Sequence, residues 1–239
     1  MGENYINTNK KCYNAFADDY QARYNAGEMA KQLVRIINKA LKEKVRKYDY
    51  RILELGCGTG NILEGFKILQ EKFHNKYKYN LYAIDFSKKM IAYAKDKYQD
   101  ANIVNKNALT LSDNILSLPF KKKEKFDIII MVAFIHLFPR KDAEKLLNNI
   151  KGLLNPNGLI YIDTTKASEF KDGEITEKQG KIIDEQGNII SMPRLRTYWT
   201  EESFEKFLDN CGFEIIKDYS DNHESNRGKI WLQRIVKLK

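Results

Sequence analysis

Cysteine is scarce in this sequence. The three cysteines, Cys12, Cys57 and Cys211, are widely spaced, and none belongs to a Cys-x-x-Cys pair. This spacing excludes a disulfide framework and a zinc knuckle. It favours a reducing compartment, so we expect a cytoplasmic protein.

Long hydrophobic runs are also missing. The longest, residues 126–138, contains Asp127 and His136 and is shorter than the roughly 20 residues that a helix needs to cross a bilayer. No charged-then-apolar leader begins the sequence, and Ile6 stands where a myristoylation signal after Gly2 would need Ser or Thr. We therefore expect a soluble chain without a membrane anchor.

The formal net charge of +9 suggests a nucleic-acid partner, because a basic surface attracts phosphate groups at long range. Most of the excess is lysine, scattered along the chain, whereas the forked arginines that recognise phosphates and bases are few. Nucleic acid is therefore the alternative partner, and a small molecule is the first expectation. A monomer and a homodimer both stay open.

A glycine-rich loop follows the first apolar strand. Residues 51–55 are typical of a buried parallel strand, and Gly56, Gly58 and Gly60 come directly after it. Glycine suits positions where a side chain would block a ligand or force a disallowed φ. A dinucleotide loop needs a sixth-position glycine, where this chain has Asn61, so an NAD enzyme is the least favoured reading.

The string Glu-Leu-Gly-Cys-Gly-Thr-Gly at residues 54–60 resembles motif I of the class I S-adenosylmethionine (SAM) methyltransferases, and the resemblance extends from about Tyr13 to the C-terminus. It implies SAM as cofactor and S-adenosylhomocysteine as product. The Asp/Asn-Pro-Pro-aromatic motif of amino methyltransferases and the Pro-Cys motif of 5-methylcytosine enzymes are absent after the fourth strand. With only His74, His136 and His223, we expect no metal.

The resemblance and the hydrophobic pattern predict an α/β fold. We expect a seven-stranded, mostly parallel sheet with helices on both faces and an antiparallel C-terminal strand pair. Residues 1–47 would form an N-terminal helical lid, because aromatic and then aliphatic residues recur at helical spacing from about Lys10 to Lys47. Residues 48–239 would form the Rossmann-like domain, with a polar hairpin insert at about 165–198 over the substrate side.

Asp85 ends the second predicted strand, where a carboxylate can accept hydrogen bonds from two ribose hydroxyls. A helix cap is the alternative role, which Ser87 can also perform. Asn107 would meet the adenine edge, Phe86 and Met90 would cover the base, and Tyr13 would help to hold the cofactor carboxylate. The remaining residues that the resemblance assigns to the cofactor lie in the motif I string or at strand ends: Glu54, Gly56, Cys57, Gly58, Gly60, Ala108 and Met131.

The acceptor side is less specified by the sequence. His136 is the first candidate for a general base, since it follows the strand that faces the methyl group and titrates near neutrality; a structural histidine is the stronger alternative. Tyr198 is the second catalytic candidate and would line the acceptor with Trp199. Arg194 and Arg196 would bind an acidic group on the acceptor, or pair with the acids that begin the next helix.

These observations predict a methyltransferase that acts on an oxygen or nitrogen atom of a small molecule. An RNA methyltransferase is the second enzymatic alternative. A SAM-binding module without activity is the third reading, because no obligatory catalytic side chain is visible.

Overall fold

The computed structural model of the chain describes residues 4–23, 28–45, 47–74, 76–111, 125–167, 171–173, 175–183, 189–218 and 231–239. Its helices are α1 (Asn4–Arg23), α2 (Glu28–Lys44), α3 (Asn61–Lys72), α4 (Lys88–Lys97), α5 (Arg140–Lys151) and α6 (Glu201–Asn210). Its strands are β1 (Asp49–Leu55), β2 (Lys78–Asp85), β3 (Asn102–Asn105), β4 (Phe126–Met131), β5 (Leu154–Thr165), β6 (Ile175–Ile183), β7 (Ile189–Thr197), β8 (Phe213–Asp218) and β9 (Trp231–Leu238). None of the described helices combines the length and apolar character of a membrane span.

Seven strands form one sheet in the order β3-β2-β1-β4-β5-β9-β8. The pairs from β3 to β5 are parallel, and β9 runs antiparallel to both of its neighbours. The predicted seven-stranded sheet with an antiparallel C-terminal pair is therefore confirmed. The strand order reverses at β1, so the carboxyl ends of β1, β2 and β4 meet at a topological switch point, where open α/β sheets bind ligands.

The centre of the sheet is built from strands that are buried on both faces. All six residues of β4 are buried, as its apolar composition requires. Its one charged residue, Asp127, accepts hydrogen bonds from Lys47 Nζ (2.7 Å), Arg51 N (2.9 Å) and Asn155 Nδ2 (2.7 Å). These bonds offset the cost of burying the carboxylate near the amino end of the strand.

Helices cover both faces of the sheet. On one face α2 and α3 pack on β1, β4 and β5 through a cluster that includes Ile37, Leu41, Ile52, Phe66 and Ile128. On the other face α5 and α6 pack through a cluster that includes Leu53, Ile129, Leu146, Ile160 and Phe204. Because successive strand residues point to opposite faces, neighbours such as Ile52 and Leu53 belong to different clusters.

The N-terminal segment contains two helices where the sequence pattern predicted one. Residues 24–27 and residue 46, also within the predicted span, lie outside the described residues. Helix α1 contacts β6, β7 and α4, whereas α2 packs on α3 and the sheet. Only α1 therefore lies where a lid was expected, and the division into a lid of residues 1–47 and a domain of residues 48–239 stays a prediction.

The hairpin predicted after the fifth strand is present as a separate two-stranded sheet of β6 and β7. Its register pairs Ile183 with Ile189 and Ile175 with Thr197, so both strands are longer than the pattern suggested. The predicted turn at 185–187 lies outside the described residues. The length of the hairpin carries β7 along α1, beside the carboxyl edge of the main sheet.

Candidate functional site

The glycine loop leaves the carboxyl end of β1 in a left-handed conformation at each of its three glycines. The φ angles of Gly56, Gly58 and Gly60 are +76°, +53° and +88°. The amide of Gly56 donates to the Ile84 carbonyl at 2.7 Å, which fixes the loop to the end of β2. These angles are strained for any residue with a Cβ, so backbone geometry alone requires the spacing that the sequence shows.

Asp85, at the end of β2, lies directly against this loop. Its Oδ2 accepts a hydrogen bond from Gly58 N at 2.9 Å, and its Oδ1 accepts one from Ser87 N at 2.8 Å. Ser87 Oγ accepts from Met90 N at 3.2 Å and so caps α4. The loop and the carboxylate therefore meet at the switch point, and Ser87 supplies the side-chain cap of the helix.

The Asp85 carboxyl group is only 8% exposed. Burial raises its pKa to about 6, while the hydrogen bonds from the backbone amides of Ser87, Gly58 and Phe86 hold it down. The two oxygens of a carboxylate offer about four lone-pair positions, and the three backbone amides occupy three of them. Asp85 can therefore accept a further hydrogen bond from a ligand in the cleft.

A cleft opens at this edge of the sheet. One wall comes from α1, with Tyr5, Ile6 and Asn9, and the others come from the carboxyl ends of β1 and β2 and from the turns after β2, β3 and β4. The lining residues of these other walls are Gly56, Ile84, Asp85, Phe86, Lys106, Asn107, Ala108, Phe134, Leu137 and Phe138.

The predicted adenine-binding residues are only partly brought together. Asn107 and Ala108 line the cleft with Phe86, and Asn107 Oδ1 accepts from Leu109 N at 3.1 Å. Met90 is 2% exposed, and Met131 is fully buried in the core of the sheet. Neither methionine lines the cleft, so their contact with a cofactor stays a prediction.

Glu54 lies in β1 just before the loop and Cys57 belongs to the loop, and both side chains are buried. Glu54 is 3% exposed, and its Oε2 has no hydrogen-bond partner among the described residues. Burial, and then the charge of Asp85, raise the pKa of Glu54 well above its usual range. Cys57 packs with Leu63 and Ala94 between α3 and α4, where burial raises the pKa of its thiol.

Helix α1 is fastened across the cleft. Asn14 Oδ1 accepts a hydrogen bond from Ser87 Oγ at 2.7 Å, and Asp18 binds Lys89 Nζ at 2.5 Å. The ring centroid of Tyr13 lies 6.3 Å from that of Phe86. The predicted tyrosine-rich face thus lies over the ends of β1 and β2.

His136 lies in the 3₁₀ turn of residues 135–137, after β4. Its side chain is fully buried, and its ring centroid is 5.6 Å from that of Trp231. This environment fits the structural alternative for His136. Its role as a base stays a prediction.

Tyr198 and Trp199 point to different places. Trp199 is fully buried, 4.7 Å from the Phe207 ring and 4.3 Å from the Arg140 guanidinium, and it does not line the cleft. Tyr198 is 4% exposed and lies close enough to Arg196 to interact with it electrostatically.

Arg196, on β7, is 7% exposed and donates a hydrogen bond to the Tyr13 hydroxyl. Arg194, two residues earlier, lies with its guanidinium carbon 5.9 Å from the centre of the Phe16 ring. The alternative pairing with the acids of α6 does not form among the described contacts of either arginine. Glu201 and Glu205 pair instead with the buried Arg234, which also binds Asp218, so this acidic cluster is an ion-pair network.

The sequence pattern gave no functional role to Asp163 and Asn9. Asp163 Oδ1 accepts from Ala133 N at 2.5 Å and fixes the turn after β4, where Ala133 has a φ of +51°. Burial raises the pKa of Asp163 to about 7. Asn9 donates to the Leu137 carbonyl at 3.2 Å and accepts from Leu195 N at 2.8 Å. An acid inside a buried strand was the only available signal, and it pointed to Asp163 alone.

Comparison with known proteins matches residues 52–158 to a family described as a methyltransferase domain. The chain is 26% identical over 192 residues to tRNA N(3)-cytidine methyltransferase METTL2B of Homo sapiens, a match covering 77% of this chain and 49% of that protein. It is 27% identical over 190 residues to a malonyl-[acyl-carrier protein] O-methyltransferase of Bacillus anthracis, covering 80% and 58%. The chain therefore spans about half the length of the curated relatives it matches.

Solved structures share the fold. A SAM-dependent methyltransferase from Clostridium acetobutylicum ATCC 824 superposes with a TM-score of 0.65 at 19% identity, covering 95% of this chain and 99% of that one. The CcbJ methyltransferase from Streptomyces caelestis gives 0.69 at 13% identity, with coverages of 95% and 97%. At these identities the likeness establishes the architecture alone.

Proposed function

We propose that this chain, which belongs to the class I SAM-dependent methyltransferases, transfers a methyl group from SAM to an oxygen or nitrogen atom of a small molecule. The hydrogen bond of 2.9 Å between Gly58 N and Asp85 Oδ2 carries this proposal. This bond connects the glycine loop with the Asp85 carboxylate. The loop allows a ligand to come close to the backbone, and the carboxylate can still accept a hydrogen bond from it. Both lie at the edge of the sheet where such folds bind ligands.

The residues of the cleft fit the donor. A Cβ built on Gly58 would make ordinary van der Waals contact with the Tyr20 ring at 3.7 Å, so the protein around Gly58 does not itself exclude a small group. Asp85 would accept from the ribose hydroxyls, and Asn107 would meet the base edge. The unpartnered Oε2 of Glu54 offers an acceptor, or a donor when protonated, to a further polar group.

When bound, SAM supplies a methyl group that is already activated by its sulfonium. The protein then has to align the acceptor with the methyl group and exclude water, and well-oriented groups can reach effective concentrations of about 10⁵ M or more. Helix α1, held by Asn14 and Asp18, would close the edge of the cleft to water. A base such as His136 is needed only for an acceptor that arrives protonated.

Calorimetry with SAM and S-adenosylhomocysteine tests the site. We expect micromolar binding to the wild-type chain and no measurable binding to Asp85→Ala or Gly58→Val, because one loses the ribose acceptor and the other fills the loop. Asp100→Ala, at an exposed position after α4, is the matched control and should bind normally. Normal binding by both site variants would refute the assignment.

Mass spectrometry of reactions with SAM and a metabolite extract tests the transfer itself. A methylated small molecule supports the proposal, whereas a non-catalytic SAM-binding module would give no methylated product. An RNA acceptor is the second candidate, favoured by the similarity to the tRNA methyltransferase and by the net charge of +9.

A further inference from the structure

Arg196 is a buried cation that has no acidic partner among the described residues. The residue is only 7% exposed. Neither its Nε nor its Nη1 has a hydrogen-bond partner in the part of the chain that the structure describes. Burying a guanidinium is costly unless an anion or several acceptors compensate it. The Tyr13 hydroxyl supplies one acceptor, which leaves most of the fork unsatisfied.

The surroundings of Arg196 add positive charge. Arg194 projects from the same face of β7, and its Nε also lacks a partner among the described residues. The hairpin register places Thr176 opposite Arg196 and Lys178 opposite Arg194, and neither of these is an acid. Burial, and next the charge of Arg194, lower the pKa of Arg196, and the groups that raise it are the tyrosines Tyr13 and Tyr198.

This cationic pair adjoins the proposed cofactor cleft. Tyr13, which accepts from Arg196, also packs towards Phe86, the residue that follows Asp85. Asn9, which lines the cleft, accepts a hydrogen bond from Leu195 N, between the two arginines. Arg196 is therefore connected to the wall of the cleft in two ways, through Tyr13 to Phe86 and through its chain neighbour Leu195 to Asn9.

We propose that Arg196, with Tyr13 and Tyr198 beside it and Arg194 at its edge, forms a carboxylate-binding site next to the methyl-transfer centre. The inference rests on the proposed methyltransferase function and names its substrate class. A planar guanidinium binds a carboxylate through two parallel hydrogen bonds, which the unpartnered Nε and a terminal nitrogen are able to donate.

A carboxylate can come from the acceptor or from the methionyl end of the donor. The arginine pair favours the acceptor, because the donor carries an ammonium group on the carbon next to its carboxylate. Two guanidinium groups would repel that ammonium, whereas a simple carboxylic acid brings negative charge alone. The acceptor of this enzyme is then a small carboxylic acid, bound as its anion.

The experiment compares ligands with and without a carboxylate on wild type and Arg196→Met. Calorimetry measures S-adenosylhomocysteine against 5′-methylthioadenosine, which shares the adenosyl group and lacks the amino acid. Ligand-observed NMR, with and without S-adenosylhomocysteine, screens a panel of small mono- and dicarboxylic acids, each beside its neutral amide. Arg51→Met, at an exposed position on β1, is the matched control.

If the acceptor supplies the carboxylate, the Arg196→Met variant binds acids of the panel about a hundredfold less tightly than the wild type does. Its affinity for the neutral amides and for both nucleosides is unchanged. If the donor supplies the carboxylate, the variant binds S-adenosylhomocysteine less tightly by a similar factor, and its affinity for methylthioadenosine is unchanged. If neither S-adenosylhomocysteine nor any acid of the panel binds less tightly to Arg196→Met, the proposed carboxylate site is wrong. Absence of nucleoside binding in the wild type would instead refute the proposed function.

Thermal unfolding separates a binding role from a structural one. Removing a buried and uncompensated cation should raise the melting temperature of the ligand-free protein by a few degrees in Arg196→Met. Arg196→Lys keeps the charge without the planar fork, so it should bind the same ligand about tenfold less tightly than wild type. A lower melting temperature, with carboxylate binding unaltered, would show that Arg196 only supports the fold.

Discussion

At the scale of single residues, the role proposed for Asp85 would make cofactor binding depend on pH. The ribose hydroxyls would donate to the ionised carboxylate, and burial raises the pKa of Asp85 to about 6. The ionised fraction is about one half at that pH and falls by about tenfold per pH unit only well below it. We therefore expect the affinity for S-adenosylhomocysteine to be nearly constant above pH 7, to fall about fivefold between pH 6 and pH 5, and to approach a tenfold fall per pH unit below pH 5.

Calorimetry across this range checks the expectation. Asp85→Asn should bind more weakly and lose the slope, whereas Asp100→Asn should keep both the affinity and the slope of the wild type. Glu54 lies nearby, and its pKa is also raised by burial. A slope that persists in Asp85→Asn would assign the titration to Glu54 instead.

Gly56 and Gly58 distinguish two reasons for glycine in the loop, which are the positive φ angle and the lack of space for a Cβ. Both have positive φ, but a Cβ on Gly56 would lie 2.2 Å from Cδ2 of Phe134, while one on Gly58 meets nothing closer than 3.7 Å. Gly56→Ala should therefore lower the free energy of unfolding by about 2–4 kcal/mol, and Gly58→Ala by about 1 kcal/mol. Urea unfolding measures both, and equal losses would contradict the role assigned to Phe134.

The residues that sequence reasoning located are those whose position follows from chain topology. Gly58 lies in the loop that follows β1, and Asp85 ends β2. Adjacent parallel strands bring such carboxyl ends together whatever the side chains do. Asp163 and Asn9 act through contacts with residues 30 and 128 positions away, which no local pattern encodes. Tyr198 and Trp199 were predicted to share a surface, yet neighbours in an extended segment face opposite ways.

At the scale of elements, the periodic patterns predicted the helices and strands of the sheet, whose burial is regular. They did not separate α1 from α2, because the apolar recurrence continues from one into the other. The surroundings of the two helices differ: α1 carries polar links such as Asn14 to Ser87, and α2 buries an aliphatic stripe that includes Ile37 and Leu41. Only tertiary contacts distinguish a helix that covers the cleft, such as α1, from a helix that packs on a face of the sheet, such as α2.

This difference predicts the response of the two helices to the cofactor. Hydrogen exchange of the α1 amides should slow by about tenfold or more when S-adenosylhomocysteine binds, because the ligand would fill the space between α1 and the loop. The α2 amides should not change, since α2 packs on α3 on one face of the sheet. Mass spectrometry of peptides from both helices measures this, and equal protection of α2, or none of α1, would contradict the covering role.

At the scale of the whole molecule, the net charge of +9 sets the small-molecule proposal against the RNA alternative. Several arginines are engaged internally: Arg234 is buried among three acids, Arg140 packs on Trp199 and pairs with Asp172, and Arg196 lies under α1. The guanidinium groups of these arginines are therefore not available to bind RNA at the surface. The charge that remains outside is largely lysine, which attracts phosphate without reading sequence or shape.

We therefore expect bulk tRNA to bind no more tightly than about 10⁻⁶ M at physiological salt, in the range of non-specific association. Double-stranded DNA of similar length should compete equally, because both offer phosphates to the same lysines. Reactions with unmodified tRNA and methyl-labelled SAM should leave the RNA unlabelled. Binding below micromolar that DNA does not displace, together with label in a single tRNA, would establish the RNA acceptor, because specific recognition needs contacts that scattered lysines do not supply.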